Sequence, residues 1–593
     1  MADASFFTLA QNAAQAQHFT GSSTAEGRKQ SMFPGAVGSP NNPRRRSSIP
    51  RKGLLGDDHQ LESFDPQPAK ADPGDGPPPT PRLGERNHHE VAPGTPMVAQ
   101  HSEQKRHISK LPDKILLKIF SYIPHKELCK IATVCKKWRL MAYDSRLWQV
   151  VSLRPDFSGL HVSSIEALLA LISVRFGHTL RYIELPSELV TPPVVHELAN
   201  KCPNLKYITL DFSNAMQLHD FNDLNAFPCN LKSMCICLSE VIFMEGFMRR
   251  IYSCLSSLQV LHLIGTFELS NDEEEEIYEV INISKIKAHT PNLRVVNLYG
   301  ISFVDDSHVE LLSSNCIHLE CLALNFCLRV KGASLKVVLQ KCRKLRSLLL
   351  QHTSIEDQNM MDIEWEKTVV DELDITSTEL STDCLDNILN RMNGFRYLGV
   401  GHCDFFVDKV LEKLMQKELF TNLEAIDIGY TTMLSEVMIN RFLRKHGPQL
   451  RGFVVNGKSK LTEQFWVTAI PQLKQARTLV LGTADGWFLK LSSKVHIDQI
   501  IEEFAKNCPF LERLEIQWDP QTIRYSDKSS KFIDHLRLRC PHLKSLTLSD
   551  GEYYEMAKSN FERADRSKVV RTTTNYQTSL VSLLRDYNDL LFN

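Results

Sequence analysis

The chain has 593 residues, 23% of them charged, with 69 Lys and Arg against 70 Asp and Glu. So balanced a charge gives no overall pull toward nucleic acid or an anionic membrane, and no stretch approaches the roughly 20 continuous apolar residues of a membrane span. The length suits several domains or one long solenoid.

The first residues, MADASFFTLAQNAAQAQ, lack the basic and apolar regions of a secretory signal. The 15 cysteines are therefore expected as thiols in a reducing compartment. Residues 1–105 are rich in Pro, Gly, Ser, Gln and His and poor in branched apolar residues. Such a segment cannot bury enough surface to offset its ordering entropy, so a disordered tail is expected. Within it, RRRSSIPRK (residues 44–52) reads as a solvated basic patch, as a nuclear-localisation signal, or as a basophilic kinase site at Ser48. Arg45 three residues before Ser48 and Pro50 two residues after it form a spacing that resembles a 14-3-3 docking site. Thr80 and Thr95 each precede proline and are candidate proline-directed phosphorylation sites. The expected localisation is cytoplasmic, with a nuclear pool if the basic run acts as a signal.

Residues 106–153 change character. In LPDKILLKIFSYIPHKEL, which starts at Leu111, the side chains Ile115, Leu116, Ile119, Phe120 and Ile123 fall on one face of an amphipathic helix. Pro112 suits a first helical turn, where its missing N–H costs nothing, and Pro124 stops the helix. A second helix is predicted through Leu128, Ile131, Ala132, Val134, Cys135 and Trp138, and a third ending at Leu147 and Trp148. Three short helices make a marginal core. A partner protein or the adjoining chain is expected to complete it.

From Leu180 a template, L-x-x-L-x-L, recurs fourteen times, from LRYIEL at 180 and LKYITL at 205 to LERLEI at 511 and LKSLTL at 543. Most units are 25 to 28 residues apart, the period of leucine-rich repeats. Each template predicts a short strand with alternate side chains pointing inward. One unit cannot cover its own apolar face, so the units must stack into a curved solenoid over residues 160–550, leaving 551–593 as a C-terminal tail. Cys202, Cys316, Cys342, Cys508 and Cys540 each fall three residues before a template, a recurrence that marks packing rather than redox or metal chemistry. The unit resembles the cysteine-containing subclass of leucine-rich repeats. Two spacings lengthen to 35 residues, one around NDEEEE and one around TADGWFLKLSSKVHID, and both are expected as loops.

No catalytic constellation, cofactor site or metal site emerges. Cys235 and Cys237 form a C-x-C pair, and no C-x-x-C occurs. GFVVNGKS at Gly452–Ser459 satisfies the P-loop formula, but Phe453 and Val455 are the inward residues of the eleventh template, so the would-be loop is itself a strand.

Leu111-Pro112, Ile115-Leu116, Ile119-Phe120, Val134-Cys135, Trp138-Arg139 and Leu147-Trp148 resemble an F-box, six paired matches in order over 38 residues. Lys114 stands where that motif usually carries an acid, and Glu127 where Asp is common. The whole chain resembles the F-box and leucine-rich-repeat family: an α/β protein with a three-helix F-box, a curved solenoid of about fourteen units and a disordered N-terminal tail. The resemblance implies a non-catalytic substrate receptor of an SCF-type ubiquitin ligase. Leu111, Pro112, Ile115, Leu116, Ile119 and Phe120 would dock on the Skp-type adaptor, and through it on a cullin scaffold and a RING subunit. The repeats would hold a protein substrate. The alternative is a scaffold or inhibitor that binds partners without ubiquitination.

Residues that alternate with the inward leucines are expected on the concave face, three per repeat. Across those 42 positions six are acidic, Glu184, Asp211, Glu372, Asp374, Asp427 and Glu515, and only Arg513 is basic. Tyr207, Tyr299, Glu372, Asp374, Tyr397 and Asp427 are accordingly the candidate substrate contacts. The expected occupant is a basic or neutral segment, either a substrate's or this chain's own ERADRSKVVR.

Overall fold

The leucines of the template dictate one long parallel sheet. The computed structural model describes residues 108, 111–154, 160–212, 219–238, 244–245, 247–265, 282–457, 463–482, 495–517, 523–524, 531–543, 545–548 and 568–571. Its main sheet has sixteen strands in strict chain order, β1 (Val150–Ser152) to β16 (Lys568–Arg571), every neighbouring pair parallel. The fourteen templates are β2 (Tyr182–Pro186) to β15 (Ser545–Leu548). The sheet therefore gains a strand at each end: β1 at the close of the three-helix module, and β16 inside the segment expected to be a tail. Four residues of ERADRSKVVR thus extend the sheet edge by pairing with β15 instead of folding back over the face.

Register follows the template. Leu348, Leu373, Leu398, Ile426 and Phe453 are Cα partners in succession across β8 (Ser347–Leu349), β9 (Glu372–Asp374), β10 (Tyr397–Gly399), β11 (Ala425–Asp427) and β12 (Gly452–Val454). Phe453 thus sits in the strand ladder, as a repeat residue should, while Lys458 and Ser459 of the P-loop formula lie outside the described residues. The inward side chains, with those of outer helices such as Thr382–Arg391, Asp408–Gln416 and Glu436–His446, build one core from Trp148 to Leu546.

The cysteines form rungs of that core. Cys316 Sγ donates to the Thr290 carbonyl at 3.6 Å, Cys342 to Cys316 at 3.5 Å, Cys508 to Leu473 at 3.5 Å and Cys540 to Cys508 at 3.3 Å. Each acceptor is the equivalent residue one repeat earlier. Burial pushes the Cys202 thiol up to about 12 and that of Cys316 to about 11, so neither supplies a thiolate at neutral pH.

After each strand in the middle of the array the chain turns through a left-handed residue: Gly300, Phe326, His352, Ser377, His402, Tyr430 and Gly457, with φ from 52° to 71°. Five of the seven are not glycine. The conformation costs a non-glycine residue roughly 1–2 kcal/mol. What it secures is a rung: the N–H of Phe326 reaches the Gln351 carbonyl at 2.8 Å, His352 reaches Thr376 at 2.9 Å, His402 reaches Gly429 at 2.8 Å and Tyr430 reaches Asn456 at 2.8 Å. The side chains also stack, with ring centroids 4.4 Å apart for Phe326–His352 and 4.0 Å for His402–Tyr430.

At Gly457 a Cβ would overlap the Tyr430 ring, whereas at Gly332, also left-handed, the nearest heavy atom would be 3.5 Å away. Gly457→Ala is therefore expected to lower the thermal midpoint more than Gly332→Ala, which bears only the backbone strain of about 1–2 kcal/mol. Equal losses in parallel melts would contradict the packed Tyr430 turn.

Candidate functional site

The three-helix module presents one candidate site. Helix α1 is Asp113–Phe120, with Pro112 as its N-cap. Helix α2 is His125–Ile131 and α3 is Lys136–Ala142. The predicted second helix is thus divided, and Trp138 belongs to α3, which stops at Ala142 well before Trp148. The cause is local. Cys135 is extended, with φ −161° and ψ 165°, and its Sγ accepts the Trp138 N–H at 3.4 Å, so it starts a new helix. The β-branched pair Thr133–Val134 just before it weakens continuation.

The six residues expected to meet an adaptor divide by burial. Phe120 packs in the module's own core with Leu128, Ala132 and Ala142, and Leu116 is likewise buried, so both hold the fold and offer no outer surface. Leu111 is half-buried and its carbonyl accepts from Lys137 Nζ at 3.3 Å. Pro112 is exposed, as are Ile115 (49%) and Ile119 (36%), which lie one turn apart on α1. Tyr122 and Leu140, exposed at 50% and 72%, are further apolar surface that the sequence reading did not select, and Val134 is 64% exposed. The helical period marks an apolar face, but it cannot divide that face between the module's core and its outside.

Trp148 joins this module to the repeats. Its indole N–H donates to the Ala142 carbonyl at 2.9 Å, and its ring lies 4.6 Å from that of His125 in α2 and 6.0 Å from that of Phe176, beyond β1. Burial lowers the pKa of His125, whose Nε2 is 2.9 Å from the Leu147 carbonyl. The marginal helical core is thus completed in part by the solenoid.

The concave face is the second candidate, and here the expectation of exposed contacts is corrected. Tyr207, Tyr299 and Tyr397 are buried. Tyr207 and Tyr299 pack with Cys235, Val260 and Cys321, and Tyr397 packs with Leu349, Ala425 and Val454. Adjacent parallel strands are only about 4.8 Å apart, so side chains of one column touch across repeats and cover one another. The acids are satisfied internally. Glu184 accepts from Ser152 Oγ and Tyr182, and Asp211 pairs with Arg154 at 2.6 Å. Glu372, 3% exposed, takes the Ser347 hydroxyl and lies 3.3 Å from Arg396. Asp374, 1% exposed, accepts from the Thr376 N–H and the Tyr397 hydroxyl, each at 3.0 Å. Glu515 pairs with Arg513, the one basic residue of the face, at 2.8 Å.

Asp427 alone of the six candidate contacts keeps partial exposure, and its Oδ1 accepts the Gly429 N–H at 2.8 Å. Glycines make room for these carboxyls: a Cβ at Gly399 would sit 2.5 Å from Asp374 Oδ1, and one at Gly401 2.7 Å from Asp427 Oδ1. Burial pushes the Asp427 carboxyl up to about 8, with the Gly429 bond opposing and Asp374 adding to the rise. An acid raised in this way costs stability as pH climbs from about 4 toward 8, because the unfolded chain releases the proton that the folded one keeps. Asp427→Asn is therefore expected to stabilise the protein more at pH 8 than at pH 5, as read by denaturant midpoints. An identical gain at both values would show that the carboxyl is not held protonated.

Among the described residues there is no group of three His, Cys, Asp or Glu that could hold a metal, and no helix is long and apolar enough to cross a membrane. Ser48, Thr80 and Thr95 lie outside the described residues, as do the insertions at 266–281 and 483–494.

A model of the F-box-like family matches residues 108–154. F-box/LRR-repeat protein 12 of Bos taurus is 31% identical over 129 residues, 21% of this chain and 38% of that protein. The Homo sapiens protein of the same name is 29% identical over 130 residues, with the same shares. The chain thus spans 38% of the length of these curated relatives. Among solved structures, the Rad7 and Elc1 complex in yeast is similar over 70% of this chain and 90% of that one, at 15% identity and a TM-score of 0.38. The class is an F-box followed by a parallel α/β solenoid. Residues 108–154 thus carry an F-box-like domain, and part of the chain is similar to an F-box/LRR-repeat protein.

Proposed function

We propose that this protein is the substrate-recognition subunit of an SCF-type ubiquitin ligase. The exposed part of its F-box docks on a Skp-type adaptor, and through it on a cullin scaffold and a RING subunit. The repeats hold a protein substrate, and the chain contributes proximity while other subunits perform the transfer. The observation that carries this reading is the apolar surface of Pro112, Ile115 and Ile119, uncovered on a helix within the residues matched to the F-box-like family. Isoleucines standing clear on a small module that has its own core are suited to a partner's groove.

A scaffold that binds partners without ubiquitination is the second reading. The same face supports it, because adaptor recruitment does not require turnover. Substrates that accumulate when the protein is depleted distinguish the first reading from the second. The tail belongs to this proposal as well: phosphate at Ser48, beside Arg44, Arg45 and Arg46, would recruit a 14-3-3-type reader or change nuclear content, with Thr80 and Thr95 as further sites.

Ile115→Asp with Ile119→Asp is expected to abolish adaptor co-purification while leaving the melting temperature near wild type, because both side chains are exposed. Leu116→Ala is expected to act in the opposite way, costing about 2–5 kcal/mol of stability as a buried Leu does. Adaptor retained by the double Asp variant would sink the docking assignment.

A further inference from the structure

The residue after the first leucine of each template lies at the start of its strand, and together these residues form a rim along the sheet. Their backbones are locked in step: the Arg181 carbonyl takes the N–H groups of Lys206 and Tyr207 at 2.9 and 3.0 Å, and Lys206 does the same for Lys232 and Ser233. From β6 (Val295–Asn297) onward the rim neutralises itself. Arg294 holds Glu320 with two bonds of 2.8 and 2.9 Å, and Arg346 pairs with Asp371. Glu424 sits between Arg396 at 3.2 Å and Arg451 at 2.9 Å, and Arg477 faces Glu512 at 3.7 Å.

Before β6 this pairing stops. The rim there reads Arg181, Lys206, Lys232 and Gln259, three cations and no acid. The side-chain ammonium groups of Lys206, Lys232 and Lys344 have no ion-pair or hydrogen-bond partner among the described residues. These residues line a groove of about 750 Å³ with Gln259, Arg294 and His318. Its lining carries four cations, Lys206, Lys232, Arg294 and Lys344, against the single carboxylate of Glu320, which Arg294 already holds.

We propose that this rim groove, at the strand starts of β3 (Tyr207–Asp211) to β8, is the docking site for an acidic segment of a protein partner. The proposal deepens the receptor reading by naming the substrate chemistry, and it moves the contact from the covered concave columns to the strand-start edge. Five steps of about 4.8 Å between strands give a run of about 24 Å, the length of about seven extended residues. Three unpaired lysines along that run attract carboxylates or a phosphate on such a segment. Single-stranded nucleic acid is disfavoured because the lining offers no Phe, Tyr or Trp on which bases stack.

Full-length protein titrated with a fluorescent seven-residue Asp/Glu-rich peptide tests this by anisotropy. The isosteric Asn/Gln peptide, a phosphoserine peptide and a single-stranded RNA oligonucleotide serve as the other arms. Acidic and phosphorylated peptides are expected to bind, to weaken as salt rises, and to lose at least tenfold in affinity in the Lys206→Glu, Lys232→Glu variant. Both changes are at the surface, so its melting temperature should match wild type. Arg451→Glu, on the self-neutralised part of the rim, is expected to leave that affinity unchanged. Equal binding of the acidic and amide peptides, full affinity in the double variant, or RNA binding tighter than the acidic peptide would each overturn the assignment. Failure of the receptor reading looks different: the adaptor does not co-purify, yet the acidic peptide still binds, including to the Ile115→Asp, Ile119→Asp variant.

Discussion

Everything in the repeat array depends on strands of three to five residues staying in register over fifteen parallel pairings. A strand so short has little stability of its own, because each repeat leaves its apolar side open until a neighbour covers it. Backbone rungs hold the register on both sides of each strand. Before the strand, one carbonyl takes two N–H groups from the next repeat. After it, a left-handed residue turns its N–H onto the following repeat. Five non-glycine residues accept left-handed backbone to keep that second rung. The strain of about 1–2 kcal/mol at each is comparable to the net worth of a hydrogen bond, so the stacked His402–Tyr430 and Phe326–His352 rings help to make the turns favourable.

Register also decides chemistry. Because equivalent residues fall into columns, a residue type meets its own kind one repeat away. Cys342 and Cys540 therefore hydrogen-bond to the backbones of Cys316 and Cys508, and burial keeps these thiols protonated as inert packing elements. Tyr207, Tyr299 and Tyr397 are covered by their neighbours in the columns. Acidic residues at these positions need a donor from the next strand, as Asp374 finds in Tyr397, or space left by a glycine, as Asp427 finds at Gly401. On the strand-start rim the same rule sets each Arg from Arg294 to Arg477 beside an acid of a neighbouring strand, and the earlier run that contains no acid is where charge is left over.

The F-box follows a different rule. Its core is small, and Trp148 extends it into the first turns of the solenoid by stacking between His125 and Phe176. That connection gives the module a fixed base while leaving Ile115 and Ile119 uncovered. A single amphipathic helix thus serves two surfaces, Leu116 and Phe120 facing inward and the isoleucines outward.

The sequence by itself determined the architecture. A 25-to-28-residue leucine period admits only stacked units, since no single unit can bury its own face, and all fourteen templates became strands in one sheet. It also marked the F-box, through six ordered pairs that fall within residues matched to that family, and it placed Phe453 in a strand of the ladder. Only the tertiary structure decided what is exposed. Alternation along a strand says which side a residue faces, but whether that side meets solvent depends on neighbours 25 residues away. That is why Tyr397 and Glu372 proved to be covered. The same physics divided Leu116 from Ile115, split a helix at Cys135 and made Lys568–Arg571 a strand. It also left Lys206 and Lys232 without the counter-charges that their counterparts farther along the rim possess, a difference that becomes visible only once the repeats are stacked side by side.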